Sequence, residues 1–325
     1  MSTETNHKRN LIIIVILFVG VLFVVWFSSK NPHEMLLPIF LKPNSTSTLK
    51  TSKWKNNRLV VIPAIWKEIN WANHSSWPLW LSDGLDLFNK NTSRAYDIHL
   101  YQRIDPNSTA PYNWPYCRNV HEEAGVYLKF IHDYYYDLPD RMLFIHGNPH
   151  KHYSYPIEAG LCVRDDIYYA NINRFWIQSR RWTAWTRDPT DQISFMYKCA
   201  THLLTLFGFD AEAQLNPNSI KLKDESLIST LCCAQFYVRK ERIHHYTYEQ
   251  WSSLYDASLQ PHCITNLTRG VLSRPDLKSF GGSFEHLWHV ILGLDATNMP
   301  PLKPRTNTDR CHLFRSSCKG SPCSN

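Results

Sequence analysis

The stretch LPDRMLFIHGNPHKHY, Leu138–Tyr153, sets a short apolar run against an abrupt polar end of Gly, Asn, Pro and histidines. The run MLFI has the length and flanking signals of a buried strand. A strand that breaks into a polar loop is where open α/β sheets place their ligands. This stretch is therefore the expected edge of a functional site.

Upstream of it, HEEAGVYLKFIHDYYY carries Ala124, Leu128, Ile131 and Tyr135 on one helical face, with Glu122 and Glu123 in the first turn, where the helix dipole favours acids. Further back, RLVVIPAIW (Arg58–Trp66) reads as a first strand. RAYDIHLYQRID reads as a second, alternating Tyr96, Ile98 and Leu100 with Asp97, His99 and Tyr101. WPLWLSDGLDLFNK can supply a helix between them. Downstream, DDIYYANINRFWIQSRRWTAWTRDPTD lacks periodicity and is expected to be irregular, draped over the sheet ends. ISFMYKCATHLLTLF is amphipathic at helical spacing. CCAQFYVRKERI reads as a strand running into a basic segment, and Thr247 with Gln250 forms a capping box for YEQWSSLYDASL. Last, GGSFEHLWHVILGL offers a glycine loop, Ser283 as N-cap and a helix burying Phe284, Leu287, Trp288 and Ile291. Alternating strands and helices predict an α/β fold: one domain over 58–298, with a mixed, mostly parallel sheet flanked by helices.

The chain has 325 residues, 43% of them hydrophobic and 19% charged, which is a globular composition. Its net charge of +7 is scattered rather than gathered in a block, which argues against a nucleic-acid partner. The run LIIIVILFVGVLFVVWF, residues 11–27, is uncharged and fits the roughly 17 to 25 residues that span a bilayer. Trp26 and Phe27 stand where signal cleavage needs small residues, so a retained signal anchor is expected. Residues 1–10 are then a cytoplasmic tail and 28–57 a flexible stem rich in Lys, Pro, Ser, Thr and Asn. Glycosylation sequons at Asn44, Asn73, Asn91, Asn107 and Asn266 all follow the anchor, as do all 9 cysteines. Both point to an oxidising compartment. The expectation is a single-pass type II glycoprotein of the Golgi or another secretory membrane, its C-terminal part lumenal or extracellular. A Cys- and Pro-rich tail, 299–325, is expected to be pinned through Cys311, Cys318 and Cys323.

The order RNVHEEAGVYLKFIHDYYYDLPDRMLFIHGNP, CCAQFYVRKERI, SFEHLWHVILG resembles the family named domain of unknown function 3431. Asn119, Val120 and Glu123 match its Asn-Val-Gly-Arg-Glu type motif, while His121 and Glu122 replace the Gly and Arg. His146 and Gly147, then Ala234, Gln235 and Phe236, then Glu285, Trp288 and His289 fit the remaining motifs. The family's layout is in turn similar to nucleotide-sugar glycosyltransferases of the GT-A type, especially the metal-independent ones. That resemblance implies substrate-binding roles for Asn119, Glu123 and Gln235.

Inverting glycosyl transfer needs a carboxylate to take the acceptor proton and positive or dipolar groups to hold the leaving diphosphate. Glu285, in the first turn of its helix behind Gly281-Gly282, is the candidate base, although a first-turn Glu suits any helix. His146 and Asn148 offer hydrogen bonds to substrate. Arg239, Lys240 and Arg242 are the candidate diphosphate cations, as are Arg180, Arg181 and Arg187; a solvated face explains either cluster equally. No Asp-x-Asp occurs, so a divalent metal is not expected, although His146, His150 and His152 with Asp140 could form a site. Gly-x-Ser-x-Gly, a Gly-rich phosphate loop and His-Glu-x-x-His are all missing. The reading is thus a sugar transfer from a nucleotide-sugar to a glycan or glycoprotein acceptor, without a cofactor. A non-catalytic, membrane-tethered glycan-binding or cell-surface protein on the same fold is the alternative.

Overall fold

The structure is a computed structural model that describes residues 52–55, 57–85, 95–104, 106–107, 113–173, 176–177, 202–209, 230–231, 234–259, 279–293 and 310–323, all in the unit Ser52–Asn325. The expected span 11–27, Arg180, Arg181 and Arg187, and the sequons at Asn44, Asn91 and Asn266 lie outside these residues. Among the described residues no helix is long and apolar enough to cross a membrane.

The fold is mixed α/β, a five-stranded sheet flanked by helices. Strand β1 (Leu59–Ala64) is buried along its whole length. Its neighbours β2 (Tyr96–Ile98) and β3 (Arg141–His146) both pair with it in parallel. A near-continuous apolar run is what a parallel strand covered on both faces requires. Pro63 is tolerated inside it because Val61 accepts a bond from the His99 amide at 2.9 Å, so alternate residues of β1 turn toward β2. By Pro63 that neighbour has ended, and no donor is needed. The edge strand β4 (Tyr169–Asn171) precedes a separate two-stranded pair, β5 (Trp176–Ile177) with β6 (Thr230–Leu231). Strand β7 (Phe236–Arg239) lies between β3 and β4 and runs antiparallel to both, giving the order β2-β1-β3-β7-β4. Four strands point one way and β7 opposes them. The segment expected to be irregular thus supplies β4. Three residues are too few to show alternation, and pairing with β7 imposes the strand.

Side-chain alternation divides the interior into two cores. Val60, Ile62, Met142, Phe144, Phe236 and Val238 face one side. They meet α2 (Glu122–Tyr134), α5 (Tyr248–Leu259), α6 (Ser279–Ile291) and the helical turn at 202–206. Leu59, Val61, Leu143, Ile145 and Tyr237 face the other side, against α1 (Leu79–Gly84) and α3 (Pro156–Cys162). Ala124, Leu128 and Ile131 of α2 are buried as their spacing predicts. The short helix α4 (Lys240–Ile243) follows β7 directly. The capping box also forms: the Thr247 amide donates to Gln250 Oε1 at 2.8 Å, and the Gln250 amide to Thr247 Oγ1 at 3.3 Å.

Both ends of the folded unit extend beyond the expected domain. Ser52 Oγ donates to Asp137 at 2.6 Å, and Trp54 packs on Phe130 and Tyr134. In the tail, Phe314 is buried in the second core and bridges Val163. Disulfides Cys162–Cys318 and Cys311–Cys323 hold that segment to α3 and to itself. Cys117 is a buried free thiol whose pKa burial pushes up to about 11.

Candidate functional site at the ends of the parallel strands

Strands β1, β2, β3 and β4 end at one edge of the sheet, and β7 begins there. The connection from β1 to β2 carries α1 on one face, whereas the connection from β2 to β3 carries α2 on the other. The chain therefore reverses its direction of winding between β1 and β3, at the paired residues Ala64 and His146. Open α/β sheets bind ligands in the crevice that such a reversal leaves.

At this crevice His146 Nδ1 lies 2.5 Å from Glu123 Oε1, with 11% and 19% of the two side chains exposed. Burial pushes the Glu123 carboxyl up. The His146 hydrogen bond and charge, its backbone bond and Arg103 outweigh that and leave its pKa below the ordinary range. The His152 ring stacks on His146 at 4.3 Å, and burial, followed by the charge of His146, pulls its pKa down. His150 stands apart, exposed, with Nδ1 2.7 Å from the Ser154 carbonyl.

The start of α2 explains how Glu123 gets there. His121 and Glu122 both adopt left-handed backbone, with φ of 55° and 53°. For side chains other than glycine this costs about 1–2 kcal/mol each. The position where the family motif has Gly is thus one that favours Gly. Two groups hold the strained corner. One is the buried His121 ring against the Ser258 carbonyl; the other is buried Arg103, whose Nη2 donates to the carbonyls of Glu122 at 2.9 Å and Val120 at 3.4 Å. Helix α6 closes on the same corner. A Cβ on Gly281 would sit 3.0 Å from the His121 carbonyl oxygen, so any other residue would require the corner to give by a few tenths of an ångström.

Here the structure corrects the expected helix start. α6 begins at Ser279, which places Gly281 and Gly282 inside it and Glu285 beyond its first turn. Glu285 follows Gly281 by four residues and shares its face. That brings carboxylate oxygens of Glu285, Glu122 and Glu123 within 4.8 Å of one another. Among the described residues these three are the group placed to share a cation, and their hard oxygen donors suit a divalent one.

Gln235 directs its amide to groups of the protein itself. It is fully buried; Oε1 accepts the His146 amide at 3.2 Å, and Nε2 donates to Asn173 Oδ1 at 2.7 Å and to the Pro149 carbonyl at 3.4 Å. These bonds hold the loop after β3. Asn148 is exposed at the start of the 3-10 turn Pro149–Lys151, on the same edge, and Asn119 is half-buried just before α2.

Arg239 and Arg242 are not brought to this edge. Because β7 is antiparallel to β3, Arg239 pairs with Arg141, five residues and about 17 Å along the strand from His146. There Arg239 bonds Glu241 at 2.9 Å and the Asp165 carbonyl at 2.9 Å, and Arg242 packs toward Tyr168. Asp140 is at that far end too, paired with Lys240 at 2.5 Å, so it cannot join the histidines.

Sequence reasoning did not single out Arg103, Asn173, or the corner Trp66-Lys67-Glu68 after β1. Glu68 Oε2 accepts the amides of Trp66 at 2.6 Å and Lys67 at 3.0 Å. A Cβ on Gly147 would lie 2.9 Å from the same carboxylate. Trp66 is 41% exposed with Lys67 Nζ 4.3 Å over its ring. The available signal was topological: each follows, by a few residues, a strand ending at this edge.

Fold and site define an open, mixed α/β sheet with a carboxylate–histidine cluster at its winding reversal. The family model described as "Protein of unknown function (DUF3431)" matches residues 73–159 and 173–306, and the chain belongs to this family. No curated protein and no solved structure matches the chain.

Proposed function

We propose that the chain is a glycosyltransferase-like enzyme that moves a sugar from a nucleotide-sugar to a glycan or glycoprotein hydroxyl at the β1/β3 edge. The observation that carries this reading is the convergence of Glu285, Glu123 and His146 at the reversal of the sheet. Glu285 takes the acceptor proton as the acceptor oxygen bonds to the sugar carbon, and the bond to the leaving diphosphate breaks with its electron pair. Glu123, ionised and clamped by His146, holds the acceptor side. Trp66 offers a stacking face, and Lys67 and Lys151 replace Arg239 and Arg242 as the cations for the diphosphate. The same reading makes the protein a single-pass type II secretory-pathway glycoprotein. The two disulfides and the exposed sequon residues Asn73 and Asn107 support that placement.

One observation favours the second reading, a non-catalytic glycan-binding protein. Three clustered carboxylates repel a diphosphate, whereas they hydrogen-bond readily to neutral sugar hydroxyls. Incubating the full chain with a panel of nucleotide-sugars and acceptor glycans separates the two. Release of nucleoside diphosphate supports the enzyme; glycan binding without release supports the second reading.

A further inference from the structure

The C-terminal segment reaches the His146–Glu123 pair through a continuous run of hydrogen bonds. Arg310, next to the Cys311–Cys323 disulfide, donates from Nη1 to the Asn173 carbonyl at 2.9 Å and from Nη2 to the Asn171 carbonyl. This clasps the chain leaving β4. The Asn173 amide is fixed in turn by Asn171 Oδ1 at 2.9 Å, and its fully buried side chain presents Oδ1 to Gln235. Gln235 then holds the backbone of His146, whose ring meets Glu123.

We propose that Arg310 is a positioning residue for the site: it sets Asn173, Asn173 orients the Gln235 amide, and Gln235 fixes the end of β3 from which His146 engages Glu123. Three features make the relay more than a chain of contacts. Gln235 is an amide whose two ends differ, so it carries orientation: Asn173 Oδ1 must face its NH2 for its oxygen to face the His146 amide. Both side chains are fully buried, where an unmade hydrogen bond costs about 1–3 kcal/mol and no water replaces it. Arg310 is itself immobilised, by the neighbouring disulfide and by its guanidinium 4.7 Å from the Phe314 ring. A segment more than 130 residues beyond Asn173 in sequence is therefore a working part of the site.

The inference rests on His146–Glu123 being a working pair of the proposed site, but its principal test needs no catalysis. The backbone amide of His146, which donates to Gln235 Oε1, is followed by NMR through its resonance and its solvent-exchange rate in the full chain, and compared among wild type, Arg310→Ala, Arg310→Lys and the control Arg315→Ala. Arg315 anchors the same tail to the Leu161 and Val163 carbonyls, at 3.1 and 3.2 Å, without touching Asn173. The expected result for Arg310→Ala is a shift of the His146 amide resonance and an exchange rate raised about tenfold or more, as the bond to Gln235 loosens. Arg310→Lys should recover part of the shift and Arg315→Ala should show none. Asn173→Ala, which leaves the Arg310 bonds to backbone in place, should reproduce the shift and serves if Arg310→Ala does not fold. If nucleoside diphosphate release is found, Arg310→Ala should lower kcat about tenfold with KM little changed. An unaltered His146 amide resonance and exchange rate in a folded Arg310→Ala or Asn173→Ala protein overturns the proposal, as does an equal shift in Arg315→Ala. Absence of diphosphate release bears only on the enzyme reading.

Discussion

The two ends of the sheet are built from similar residue types and do different things with charge. At the far end, Asp140 pairs with Lys240, Arg239 with Glu241 and Arg58 with Asp97. Each is a simple pair, and 17–44% of each side chain is exposed. Such pairs contribute little, about 0–1 kcal/mol each. At the β1/β3 end, Glu122, Glu123 and Glu285 crowd together, Glu123 also meets His146, and Arg103 is buried beneath the α2 corner. Clustered, partly desolvated charge beside strained backbone is what a fold retains for function rather than for stability.

The largest effect that can break this contrast is catalytic. In an active preparation, Glu285→Gln should lower diphosphate release about 100-fold or more. Arg239→Gln and Arg242→Gln should leave it within about twofold, because they lie at the other end. Comparable losses from the arginines would invert the assignment of the two edges.

Next in size is stability. Gln235→Leu strands the His146 amide, the Pro149 carbonyl and the Asn173 side chain, and should cost about 3 kcal/mol in urea denaturation. Glu241→Ala at the far end should cost under about 0.5 kcal/mol. A small loss for Gln235→Leu would mean that the amide does not hold the loop.

The two ends should also differ in how a carboxylate responds to losing its partner. The Lys240 hydrogen bond is the chief reason Asp140 titrates low, with burial opposing it; in Lys240→Ala it should return toward its ordinary 3.8. For Glu123, burial is the largest influence and pushes upward against the His146 hydrogen bond and charge, so in His146→Ala its pKa should rise. The sign of the stability effect follows. In wild type, the depressed Glu123 pKa stabilises the fold above the unfolded value, and this is lost as pH falls through the folded value. In His146→Ala, less of this stabilisation should be present to be lost on acidification. Carboxyl NMR titrations and urea melts across pH read both.

A small gain is expected from Glu122→Gly. Relief of the left-handed strain at φ 53° should raise stability by about 0.5–1 kcal/mol, partly offset by the cost of glycine in a helix. A loss in urea melts would show that the Glu122 side chain supports the corner.

These contrasts also mark what was legible in the sequence. LVVIPA and MLFIH read as strands because buried parallel strands leave unbroken apolar runs, and α2 read as a helix because its buried face is regular. Strand β4 and the start of α6 were not legible. β4 is created by its partner, and the opening turn of α6 has the composition of a glycine loop until His121 is seen against Gly281. His146, Glu123 and Glu285 stood out because each borders an apolar element. That Arg239 lies at the far end was not legible, because nothing local in FYVR encodes the direction in which a strand joins its sheet. Arg103 and Asn173 are single polar residues in loops, and only the assembled edge gives them meaning.

Hydrogen exchange of the full chain with and without ligand is the most direct test of where this protein works. UDP-glucose and a neutral oligosaccharide such as cellotetraose serve as probes. The account predicts protection at Trp66–Glu68 and His146–Tyr153, with Lys240–Ile243 unchanged. Protection confined to Lys240–Ile243 would contradict it.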